Sequence, residues 1–169
     1  TRGRSLLFLA LGLAVAAAAG ARTLIVPENG FISLNVPLTN SRLGSLSTRT
    51  THPHFIGLVR AVLLAIGMPI ELQLPYRFKT KGEMVQECAN PKLLTGSAPT
   101  TMSCSHPESN RFRAHDPTAH CGRCLPCLIR RAALAALGDN TNYVHEDLSI
   151  PLVGKSGSDL RAAKLALDR

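Results

Sequence analysis

The sequence predicts an α/β protein: parallel strands alternating with helices, joined to a cysteine-bearing segment that holds a metal. Three observations carry this. Apolar periodicity runs helix, strand, loop, helix, strand, helix over residues 4–90. A composition of 45% hydrophobic against 18% charged residues describes a globular chain and argues against disorder. Cys121, Cys124 and Cys127 then stand at C-x2-C-x2-C, with Cys104 upstream. At 169 residues the chain suffices for one domain with a real core, or for part of a larger one. We divide it into an α/β part over 1–100 and a metal-binding segment with C-terminal helices over 101–169.

The first element, RSLLFLALGLAVAAAAGAR from Arg4, admits two readings. A basic start, an apolar centre and a small-residue tail match a secretory signal peptide. The same stretch also reads as a buried helix whose alanines let it lie close to a sheet. It is too rich in Ala and Gly for a membrane span. RTLIVPENG follows, a β-branched strand ended by Pro27 and Gly30, and a helix feeding such a strand is half of a parallel α/β unit. Next comes FISLNVPLTNSRLGSLSTRTTHPHF, polar and aperiodic for about 20 residues, a length usual for functional loops.

That loop ends at Arg49 and His52, just before the helix HPHFIGLVRAVLLAIG, in which Phe55, Ile56, Val59, Val62, Leu63 and Ile66 fall at helical spacing. Thr51 is its expected N-cap and Pro53 lies in its first turn. The free amides there suit an anion, although two solvated side chains fit the sequence equally well. Ile70 to Leu74 alternate as a second strand. TKGEMVQECAN reads as a helix with Thr80 and Glu83 in a capping box. Lys81 lies in its first turn against the helix dipole, a placement a bound phosphate would relieve; a solvated lysine is the plainer alternative. A final helix begins near Ser158.

The cysteine cluster is the strongest chemical signal. Zinc takes four ligands in a tetrahedron, about 2.3 Å from each sulfur. A tight turn can present Cys121, Cys124 and Cys127, and the chain must return a fourth ligand: Cys104 is expected, with His106, His115 and His120 as alternatives. Gly122 relaxes the turn, and Pro126 opens the helix CLPCLIRRAALAALG, whose N-terminus favours thiolate. Arg123, Arg130 and Arg131 stand near enough to offset the negative charge. An iron–sulfur cluster and disulfides are the rival chemistries, but disulfides leave one of the five cysteines unpaired. Cys88 reads as a packed free thiol. A metal-holding cluster belongs in a reducing compartment, so the chain is expected in the cytoplasm and its first element as a buried helix. With sulfur at all four positions the ion is structural, and it fixes the polar 105–120 loop.

In order and spacing, TKGEMV, MSCS, HCGRCLPCLIRRAAL and DNTNY resemble the C-terminal half of the 7-cyano-7-deazaguanine synthase family of queuosine precursor biosynthesis. The family's patterns are a T-K-x-E-I-V helix, a W-S-C-Y tetrapeptide, an H-C-G-x-C-x-x-C-x-x-R helix start and a D-P-T-x-Y tail. The opening helix is similar to the family's R-N-x-x-F-L-S helix. The resemblance implies a partial adenine-nucleotide α-hydrolase-like (PP-loop) sheet, and an ATP-dependent ligase that turns the carboxylate of 7-carboxy-7-deazaguanine into a nitrile with ammonia. It further implies Zn2+ on Cys104, Cys121, Cys124 and Cys127 and a nucleotide or substrate contact at Lys81; Arg49 and His52, at the anion-suited helix start, are the other candidate contacts. ATP and Mg2+ would be cofactors, and a homodimer the assembly.

Two departures qualify this. The S-G-G-x-D-S phosphate loop is absent, so the chain is expected to be a piece of a longer protein or a degenerate member. The family's Y-P-D-C-R-P-E-F substrate loop is replaced by the longer segment over 27–55, which resembles the synthase-like proteins of Qat-type anti-phage defence and leaves room for other substrates and for operon partner proteins.

A net charge of +8 and a pI near 9.8 favour anionic partners. A zinc-stabilised nucleic-acid-binding module is therefore the second reading, weakened by only 4% aromatic residues. A secreted disulfide protein is the third.

Overall fold

The computed structural model describes residues 3–30, 51–108, 116, 118–149 and 157–167. Its elements are α1 (Arg4–Ala18), β1 (Thr23–Ile25), α2 (Pro53–Ala65), β2 (Glu71–Gln73), α3 (Lys81–Gln86), α4 (Pro91–Ser97), α5 (Leu125–Leu134) and α6 (Ser158–Leu167). Short 3-10 turns follow α4 at Ala98–Thr100 and α5 at Ala135–Leu137. The described residues fall into two compact units, one ending at Thr80 and the other beginning at Lys81. No helix among the described residues is long and apolar enough to cross a membrane.

In the first unit β1 and β2 pair in parallel, as expected, with Leu24 opposite Leu72. Alternation puts Leu24 and Leu72 on one face and Thr23, Ile25, Glu71 and Gln73 on the other, which is exposed. Under the covered face lie Leu9, Leu13 and Ala16 of α1 and Ile56, Val59 and Leu63 of α2. Removing a leucine such as Leu72 from water contributes roughly 1.5–3 kcal/mol. Both helices stop in the same way: Gly20 and Gly67 adopt φ of 67°, and the next residue's N–H reaches back to Ala16 or Leu63. This left-handed stop closes the last turn and suits glycine, which has no Cβ to clash.

One detail refines the sequence reading and one corrects it. Of the apolar residues at helical spacing, Ile56, Val59 and Leu63 are buried, while Val62 and Ile66 are 58% and 62% exposed; among the described residues the sheet has two strands, which cover only a narrow stripe of the helix. The N-cap of α2 is His52 and not Thr51: the His52 backbone is extended, and its Nδ1 accepts from His54 N–H at 3.2 Å. Arg49 and most of the polar loop lie outside the described residues.

In the second unit α3 packs on α5, and α5 also meets α6. Helix α4 was not anticipated, although Asn90 and Pro91 announce it: the Asn90 side chain accepts from Leu93 N–H at 3.0 Å with Pro91 in the first turn.

Candidate metal centre

The second unit has its core where the four cysteines meet. Cys124 is the N-cap of α5, Pro126 lies in its first turn, and Cys127 follows on the first turn of the helix. Gly122 carries φ of 84°, and a Cβ there would strike the His145 carbonyl and come within 2.8 Å of the Arg131 guanidinium. The turn between Cys121 and Cys124 therefore requires glycine for conformation and for space. His120 fixes the base of the turn, donating from its backbone N–H to Asn142 O at 2.9 Å and accepting from Val144 N–H at 2.8 Å.

Cys104 arrives from the other side on a segment held by Arg130. This buried guanidinium donates to Thr141 Oγ1 (2.8 Å), Thr101 Oγ1 (2.9 Å), Ser103 Oγ (3.2 Å) and the Ala98 carbonyl. It thus ties α5 to the strip of chain leading into Cys104.

The four sulfurs are buried and lie within 4.8 Å of one another. Cys121 and Cys127 are 3.9 Å apart, Cys104 and Cys124 3.9 Å, and Cys124 and Cys127 3.3 Å. A tetrahedron with bonds of about 2.3 Å to zinc has edges of about 3.8 Å, so the group could hold a metal ion such as zinc. Backbone amides point at the sulfurs: His106 N and Cys121 N at Cys104 Sγ (3.3 and 3.4 Å), Cys124 N at Cys121 Sγ (3.3 Å) and Ser105 N at Cys124 Sγ (3.4 Å). Donors aimed at sulfur stabilise the thiolate form that metals require. Hydrogen bonding from Cys121 and Cys127 holds the Cys124 thiol below the usual range, helped by Ser105 N–H. The interaction with Cys124 pushes Cys121 up, and those with Cys121 and Cys124 push Cys127 up.

Around the sulfurs stands a second layer. His120 is fully buried, with Nε2 at 3.1 Å from the Thr101 carbonyl and Nδ1 at 3.9 Å from Cys127 Sγ. Burial lowers its pKa, so the neutral ring carries its proton on Nε2, the nitrogen that faces a carbonyl able only to accept. Tyr143 packs edge-on to His120, donates to Asp139 at 2.7 Å and carries the Arg131 guanidinium 3.9 Å over its ring. Burial and the Asp139 hydrogen bond push the Tyr143 hydroxyl up to about 12. From α6, Asp159 accepts from Leu125 N–H at 3.0 Å and caps the helix start beside Cys124.

The structure therefore brings Cys104, Cys121, Cys124 and Cys127 together and puts His120 behind Cys127, outside the four. His106 is exposed, and His115 lies outside the described residues. Lys81 is exposed at the start of α3, and His52 caps α2 in the first unit. Cys88 is half-buried and free. Sequence reasoning anticipated Arg130 and Arg131 as charge partners but not the Arg130 clamp or the Asp159 cap. The first left a trace as a second arginine inside an apolar helix; the second, spanning 34 positions, left none. Comparison with family models, with characterised proteins and with solved structures finds no match for this chain.

Proposed function

We propose that Cys104, Cys121, Cys124 and Cys127 hold a structural Zn2+, and that the chain is the zinc-bearing portion of an ATP-dependent, carboxylate-activating enzyme of the 7-cyano-7-deazaguanine synthase type. The observation that carries this is the convergence of four buried sulfurs contributed by S-C-S and H-C-G-R-C-L-P-C, the segments on which the family resemblance rests. The ion fills its coordination with protein sulfur, so its contribution is to hold the two chain segments in place. A carboxylate resists ammonia until its oxygen becomes a phosphate-type leaving group. Cations must then balance the charge of ATP, a role for Lys81 and Arg49 beside Mg2+. His52 is proposed for substrate contact, through Nε2, since Nδ1 is engaged in the cap. The longer 27–55 segment supports a second reading, a defence-type relative that acts on another substrate.

The experiment uses the complete reading frame that includes this chain, assayed for metal content and for ATP-dependent conversion of 7-carboxy-7-deazaguanine with ammonia. One zinc per chain with nitrile formation and AMP release supports both parts. Zinc without turnover overturns the deazapurine substrate and leaves the metal centre. Absence of metal overturns the whole reading.

A further inference from the structure

The turn that leaves β2, Tyr76–Lys79, alternates rings and cations: Tyr, Arg, Phe, Lys. The chain has only 5 Phe, 2 Tyr and no Trp, so two of its few rings sit within these four residues. Phe78 is 84% exposed, and the Arg77 guanidinium lies 4.5 Å from the centre of its ring. Lys79 Nζ lies 5.9 Å from the centre of the Tyr76 ring. Single exposed apolar side chains are ordinary on protein surfaces. Here the backbone beneath is fixed: Arg77 N–H donates to Leu74 O at 3.3 Å, Lys79 N–H to Tyr76 O at 3.0 Å, and Gly30 N–H to Lys79 O at 3.0 Å. Gly30 approaches so closely that any side chain there would strike the Arg77 carbonyl.

A ring with a cation against it, held outward on a braced turn, is a stacking platform prepared before its ligand arrives. With Phe78 at 84% exposure, ring surface remains open to a flat partner. Bases offer such partners only when unpaired, since a duplex keeps them stacked on each other. Phosphates flanking a stacked base then meet the alternating cations. We infer that the Tyr76–Lys79 turn is a contact for single-stranded nucleic acid, with one base stacked on Phe78 and adjacent phosphates neutralised by Arg77 and Lys79.

The test is fluorescence anisotropy of the metal-loaded protein with labelled twelve-nucleotide oligo-dT and oligo-U, a duplex of equal length, and 3:1 phosphatidylcholine–phosphatidylserine vesicles. Binding to either single strand, falling with salt, is expected, and the stronger of the two identifies DNA or RNA. Phe78→Ala should weaken it roughly five- to a hundred-fold without changing the salt slope. Phe78→Trp should retain it, and Arg77→Ala should flatten the slope by about 0.7. Because Phe78 is exposed, these variants keep their fold, which unchanged circular dichroism and metal content verify. Equal affinity of Phe78→Ala and wild type, equal binding of the duplex, or capture by vesicles without oligonucleotide binding would each overturn the inference.

Discussion

The two units solve the same problem with different materials. The first buries eight aliphatic side chains, from Leu9 to Leu72, between two helices and two strands. The second gathers four cysteines and Tyr143; beside them only Ala119, Ala133 and Leu134 are buried aliphatic side chains among its described residues, and His120, Arg130 and Thr141 are buried polar ones. Aliphatic burial stabilises regardless of what else is present. Four thiols packed together contribute little of that kind, while their close approach and the amides aimed at them suit charge that only a cation can balance. With the proposed zinc in place, the first unit is stabilised by buried area and the second by metal, so perturbations should separate them.

The largest expected effect comes from Cys127→Ser, which removes the fully buried sulfur of the four proposed as zinc ligands. Metal binding in small centres supplies on the order of 10 kcal/mol of folding free energy, so the second unit should lose its amide hydrogen-exchange protection over 118–149 while α1 and β1 keep theirs. Uniform loss across both units would dissolve the distinction. Leu72→Ala is the mirror test. It should cost the first unit about 2–5 kcal/mol in denaturant unfolding and leave zinc retention against a chelator unaltered.

Smaller effects sharpen the picture inside the second unit. Arg130→Ala would leave Thr101, Ser103 and Thr141 without their common donor and free the segment that carries Cys104. Competition with a chromogenic chelator should show metal affinity reduced about 10- to 100-fold, the usual cost of removing a residue that orients a ligand. An unchanged affinity would mean that Cys104 is held without the clamp. Asp159→Ala removes the cap on Leu125 N–H. It should lower stability by about 1 kcal/mol in thermal melts and speed proteolysis within α6, with metal content intact.

Legibility in the sequence divided along the same line. Cys104, Cys121, Cys124 and Cys127 could be picked out because zinc imposes short spacings and glycine marks the turn; the structure then brings those sulfurs together. Helices α1 and α2 and the parallel strands followed from periodicity, and Gly20 and Gly67 mark where the helices stop. The exposure of Val62 and Ile66 was not legible, because periodicity reports which face is apolar but not how wide the surface opposite it is. At the start of α2 two residues could cap, and the ring of His52 took the place expected for the Thr51 hydroxyl, which is buried and unpartnered among the described residues. The Asp159 contact was invisible because it depends on tertiary placement and on no local pattern.

The central claim is that sulfur and metal organise the second unit, and X-ray absorption at the zinc edge of protein purified under reducing conditions tests it most directly. The account predicts one zinc per chain in a single shell of four sulfurs at about 2.3 Å. A shell containing nitrogen or oxygen, or cysteines joined as disulfides with no metal present, would contradict it.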